Sequence, residues 1–198
     1  RVSKHLSKKK VYLFVAQNGE SSYKKLDEVI IEDFAAYAEE NNLLTIGGTQ
    51  GAAYKNRKEN LFLKNSNILG RKYLIYDKIP KIKWTITKDQ KKVGKFTCTK
   101  ATTTHFGNKI TAWFTDELAL NNGPEEYGNL PGMILVLETN TKTITAIKIL
   151  TKKVDPTLEF ERPKQGKKIS VADYYQELSK VLKKIKRNSG KKELKIEK

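Results

Sequence analysis

Along most of the chain, apolar and polar residues alternate with the two-residue period of half-buried strands, and a helical period appears in only two segments. Lys10–Ala16 (KVYLFVA) reads as a strand and Asn18–Ser22 as turn material. Ile31–Asn41 carries helix formers, with Ile31, Phe34, Ala35 and Ala38 on one face, and Thr45–Ala53 is a glycine-rich loop. Strands are predicted at Asn60–Lys64, Arg71–Asp77 and Ile82–Lys88. Val93–Thr104 and Lys109–Thr115 form a longer hairpin around Gly107-Asn108, a dipeptide that tolerates the positive φ of a tight turn. Met133–Thr139 and Thr143–Thr151 form a second hairpin, turning near Asn140-Thr141-Lys142. The last element is an amphipathic helix from Val171 to Arg187, with Ser170 and Asp173 spaced as a capping box. Its apolar stripe (Val171, Tyr174, Leu178, Val181, Leu182, Ile185) predicts docking onto the sheet.

This pattern predicts a mainly β (α+β) fold: a curved antiparallel sheet or half-barrel with a C-terminal amphipathic helix. With 198 residues and no interior linker, the expectation is one domain over 1–198, with a polar start at 1–9 and a basic tail at 188–198. No stretch is apolar enough for a transmembrane helix. The polar start at Arg1 fits a removed signal peptide as one candidate.

Charge narrows the partners. Lys plus Arg number 39 against 22 acids, a net charge of +17. Arginine occurs only at positions 1, 57, 71, 162 and 187, so lysine carries the excess. Lysine is a hydrated point charge without the bidentate fork of arginine, which argues against sequence-specific nucleic-acid readout. The lysine runs at 8–10, 91-92 and 183-184 read as solvated faces, with a lipid headgroup or a glycan phosphate as the alternative anionic partner.

Catalytic chemistry is sparse. Cys98 and His105 lie seven residues apart on one strand, so their side chains point to opposite faces, and Cys98 reads as a small buried hydrophobe. The adjacent acids Asp116-Glu117 and Glu125-Glu126 would point apart on a strand and read as solvated loop charges. The run Gly47-Gly48-Thr49-Gln50-Gly51 lacks the Gly-Lys-Ser/Thr ending of a phosphate loop. No metal-ligand spacing occurs, and neither a cofactor nor a catalytic set is predicted.

One ordered set of residues stands out: Trp84; the strand containing Cys98 and Lys100; Trp113; Gly123-Pro124; and Leu130-Pro131-Gly132 before Met-Ile-Leu-Val-Leu. Proline fixes φ, glycine admits conformations closed to other residues, and the apolar run enters the core, so these positions read as a structural motif. Over roughly residues 72–150 the set resembles the GLPGLI family, envelope proteins found chiefly in Bacteroidetes. Asn129 and Met133 depart from the name motif, and asparagine keeps the left-handed turn accessible. The resemblance implies export to the periplasm or outer membrane and supplies no activity. The functional expectation that follows is a non-enzymatic envelope binding or accessory protein. Its curved sheet would take a hydrophobic ligand, a lipoprotein or an outer-membrane assembly. An envelope hydrolase with an unrecognised site and a basic nucleic-acid-binding protein are the alternatives.

Overall fold

A computed structural model describes residues 12–25, 52–149, 160 and 162–193. Eleven strands and one helix occur among them: β1 (Tyr12–Gln17), β2 (Glu20–Lys25), β3 (Ala53–Asn56), β4 (Leu61–Ile68), β5 (Arg71–Lys78), β6 (Thr85–Val93), β7 (Phe96–His105), β8 (Asn108–Thr115), β9 (Met133–Glu138), β10 (Thr143–Thr145), β11 (Lys167–Ile169) and α1 (Val171–Glu193). The fold is mainly β with a C-terminal amphipathic helix, as the alternation predicts. The strands divide between two open sheets, ordered β1-β2-β3-β4-β5-β11 and β10-β9-β8-β7-β6. All pairings are antiparallel except β11 with β5. The helix expected at Ile31–Asn41 and most of the glycine-rich loop lie outside the described residues.

Turn chemistry sets the registers. In the β7–β8 hairpin His105 pairs with Asn108, so the two turn residues are Phe106 and Gly107, one position earlier than expected. Both have positive φ, 46° and 77°, the geometry that matches the twist of the flanking strands. Phe106 bears the cost of a left-handed conformation and recovers contact by stacking on Tyr175 of α1, centroids 4.4 Å apart. The hairpin tip of the second sheet is thereby tied to the helix that covers the first.

Three apolar clusters fill the interior. On the first sheet Tyr23, Ala53, Phe62, Ile68, Tyr73 and Ile75 pack against Val171 and Tyr174 of α1. The helix starts where Ser170 Oγ accepts from the Asp173 amide (3.0 Å), the cap its sequence predicts, while Asp77 accepts from the Val171 amide (2.9 Å). Tyr175, Leu178 and Val181 also face that cluster, whereas Leu182 and Ile185 remain half exposed. The second sheet carries one cluster on each face, around Ala112, Phe114 and Leu137 and around Cys98, Phe96 and Val136.

The two tryptophans belong to opposite faces of that second sheet. Trp84, just before β6, packs with the first of these clusters and donates from Nε1 to the Gly128 carbonyl (2.8 Å). Trp113 on β8 packs with the other, donates to Glu138 (3.3 Å), and lies under the Lys91 ammonium at 4.2 Å with Lys100 at 5.9 Å. Lys100 is in turn paired with Asp89 (2.9 Å). Gly123 and Pro124 are buried in the β8–β9 connection, where a Cβ on Gly123 would meet Ile134 Cδ1 at 2.8 Å.

The Leu130-Pro131-Gly132 corner returns the chain to β9. Leu130 is buried, and Gly132 donates to the Leu130 carbonyl (2.8 Å) at a φ of 151°. A Cβ at position 132 would sit 2.0 Å from the Thr115 carbonyl oxygen, so the backbone itself would have to move. Gly132→Ala is expected to cost about 3 kcal/mol or more, seen as a Tm drop of roughly 10 °C for a chain of this size. An unchanged Tm would contradict this account of the corner.

Candidate functional site

The site lies in a polar seam between the two sheets, and two lysines build it. Lys55 on β3 and Lys64 on β4 occupy positions on the same face as Ala53 and Phe62, where period-two alternation demands apolar side chains. Both are buried. Lys55 donates to the carbonyls of Gly123 (2.8 Å) and Tyr127 (2.9 Å). Lys64 donates to Glu125 (3.0 Å) and Glu126 (2.9 Å), each about 2% exposed. Lys142 adds a second cation on Glu125, and the Tyr175 hydroxyl of α1 donates to Glu126. Two further contacts close the seam: Asn122 Nδ2 to Ser21 Oγ (3.0 Å), and Arg57 to the Asn121 carbonyl.

The neighbouring acids therefore do not point apart into solvent. They occupy a tight turn, not a strand: the Tyr127 amide bonds back to the Pro124 carbonyl (3.1 Å) and Glu125 takes a φ of 51°. That turn aims both carboxylates at Lys64. Burial alone would lower the Lys64 pKa, but Glu125 and Glu126 reverse that and hold it above the ordinary lysine value. Burial would likewise raise the Glu126 pKa, yet Lys64 and the Tyr175 hydroxyl hold it below the usual carboxylate range. Lys55, with carbonyls as its bonded partners, is pushed down by burial to about 7, with Arg57 and Lys64 adding to the shift and the two glutamates opposing it. The charges of the acidic pair are committed to structure.

Beside the seam opens a cleft of about 240 Å³. It is lined by Lys55, Arg57 and Lys81, by the amide-bearing Asn60, Asn121, Asn122 and Asn129, and by Ile79, Tyr127 and Gly128. Such a wall offers hydrogen-bond donors and acceptors at short intervals, which suits a polyhydroxylated ligand. The apolar side chains expected to line a concave face for a lipid are packed into clusters on the two sheets.

Of the residues singled out in the sequence, Gly123, Pro124 and Leu130-Pro131-Gly132 shape the connection that forms one wall of the cleft, and Trp84 braces it through Gly128. Lys100 and Trp113 lie on the opposite face of the second sheet. Cys98 is fully buried there, its thiol pushed up to about 11 by burial. His105 is on the seam side, against Phe106, Tyr127 and Tyr175, with Nε2 buried and unpaired and its pKa lowered by burial. Lys55, Lys64, Glu125 and Glu126 escape sequence reasoning because ordinary lysines and loop acids are solvated. The signal that was present is a lysine at a core-parity position in each of two adjacent strands.

Residues 50–176 match the family model described as "N-glycanase peptide, N-terminal domain". Two solved structures of PNGF-II are similar in fold. The one in a C2 crystal form has a TM-score of 0.52 at 15% identity over 85% of this chain, and the one in a P21 form has 0.48 at 17% over 84%. The chain spans 29% of the length of each of those chains. No curated protein matches it. These findings overturn the resemblance to the GLPGLI family and the non-enzymatic envelope binding role drawn from it. The physical reason is steric: Trp84 on the Gly128 carbonyl and a Leu-Pro-Gly corner against Thr115 are what this β8–β9 connection requires, so they mark a way of turning a chain and not one family. The localisation expectation stands in its coarse form, export, as for homologues of this family. No helix among the described residues is long and apolar enough to cross a membrane.

Removing one partner of a buried ion cluster leaves uncompensated charge and typically costs about 3–5 kcal/mol. Lys64→Met is expected to lose that much in urea unfolding, because Glu125 and Glu126 would then face each other. Lys64→Met combined with Glu126→Gln should lose clearly less than the sum of the single changes. Additive losses would show that the three groups do not act as one unit.

Proposed function

Because the chain belongs to the family of the N-glycanase peptide, N-terminal domain, we propose that it is the N-terminal part of a glycan-cleaving hydrolase and holds the glycan-bearing segment of a glycoprotein at the asparagine-lined cleft. One observation carries this reading: the matched stretch, 50–176, contains every residue that lines the cleft and every lysine and glutamate of the seam. Asparagine amides each offer a donor and an acceptor, the pairing that vicinal hydroxyls of a sugar require. The two seam carboxylates, Glu125 and Glu126, are dry and ion-paired, so the part assigned to these residues is positioning of substrate. As an exported hydrolase the protein would meet glycoproteins outside the cytoplasm, in the periplasm or at the outer membrane.

Fluorescence titration with an N-glycopeptide, and with the same peptide stripped of its glycan, tests the proposal. The glycopeptide is expected to bind and the bare peptide not to. Asn121→Ala, at an exposed position, should weaken binding roughly three- to tenfold, the worth of one or two polar contacts. Equal binding of the two peptides would refute it.

A further inference from the structure

Three basic side chains, Lys55, Arg57 and Lys81, meet in the cleft, and no carboxylate is among its lining residues. Glu125 and Glu126 of the adjoining seam are engaged by Lys64, Lys142 and Tyr175, and Glu20 and Glu59 by Arg162. Lys55 gives two of its three N–H bonds to backbone carbonyls, and a buried ammonium with one N–H to spare is costly unless a partner takes it. Arg57 reaches only the Asn121 carbonyl among the described residues, which leaves most of its five donors open. Lys81 is exposed at the rim. A basic surface elsewhere on this lysine-rich chain is solvated; here one of the cations is buried and aimed by the fold.

We propose that the cleft selects glycans bearing an anionic substituent, a carboxylate, sulfate or phosphate, which Lys55, Arg57 and Lys81 receive together. This rests on the reading of the cleft as the glycan's seat and adds the charge of the substrate to it. The same geometry accounts for Lys55: burial pushes its amine down to about 7, with Arg57 and Lys64 as like charges and Glu125 and Glu126 as opposite ones, so a bound anion would restore its proton. Charge-assisted bonds of this kind are about twice as strong as neutral ones.

The test is calorimetric titration of the protein with one N-glycopeptide in two forms, with and without a terminal sialic acid, and with inorganic sulfate alone. The acidic form is expected to bind at least tenfold tighter at low salt, with uptake of a proton near pH 8. Lys81→Glu, a change at an exposed position that leaves the fold alone, should cut the preference to about threefold or less. Equal affinity for the two glycopeptides overturns this inference while leaving the glycan reading in place. Binding of neither overturns both. Sulfate competing as well as the acidic glycopeptide, with the neutral form silent, keeps the anion site and removes the glycan from it.

Discussion

One buried lysine between two buried glutamates organises this protein. Lys64 projects from the first sheet, Glu125 and Glu126 come from the connection in the second, and Tyr175 reaches in from the helix. Each charge would be expensive alone in a dry seam, by several kcal/mol per ion, and becomes tolerable only when all the partners are in place. Apolar packing lets surfaces slide; an ion cluster with fixed donors and acceptors specifies one relative placement. Lys55 acts beside it in the same direction, holding the backbone of the turn that carries the glutamates. The wall of the cleft is therefore a by-product of how the two sheets are locked.

That arrangement accounts for what could be read from the residues and what could not. Period-two alternation locates the strands of both hairpins in the second sheet, and the Ser170–Asp173 spacing marks the helix start, because each is a local signal with a local cause. Strands β2 and β3 are short and polar, and carry Ser21, Lys55 and Asn56 at buried positions, so pattern alone passes over them. The division into two sheets depends on pairings distant in sequence. Most of all, Lys64 and the two glutamates are some sixty residues apart. Each is unremarkable alone and becomes informative only as a group. Trp84, Trp113 and the Leu130-Pro131-Gly132 corner are conspicuous and structural, and they drew the family comparison toward the wrong relatives.

The functional picture changes with the character of the open space. A sheet with an empty apolar face would have suited a lipid; here apolar side chains are packed in clusters and the cleft is lined by basic and amide-bearing residues together with Ile79 and Tyr127. That lining is the basis of the proposed glycan seat, and it leaves no argument for an acyl chain. The catalytic power of such an enzyme needs groups with adjustable protonation. At Lys64 and Glu126, by contrast, protonation is fixed by pairing, which suits a rigid platform.

The two buried lysines give the most direct check. Their environments push in opposite directions: burial, with Arg57 and Lys64 as like charges, lowers Lys55 to about 7, while two carboxylates hold Lys64 above the ordinary lysine value of roughly 10.4. Nitrogen NMR of the side-chain ammonium groups across alkaline pH would follow each one. The account predicts that Lys55 loses its proton first, well before the surface lysines, and that Lys64 keeps its own after they have titrated. Both titrating together with the surface lysines would contradict it, because neither would then sit in a dry seam joining the sheets.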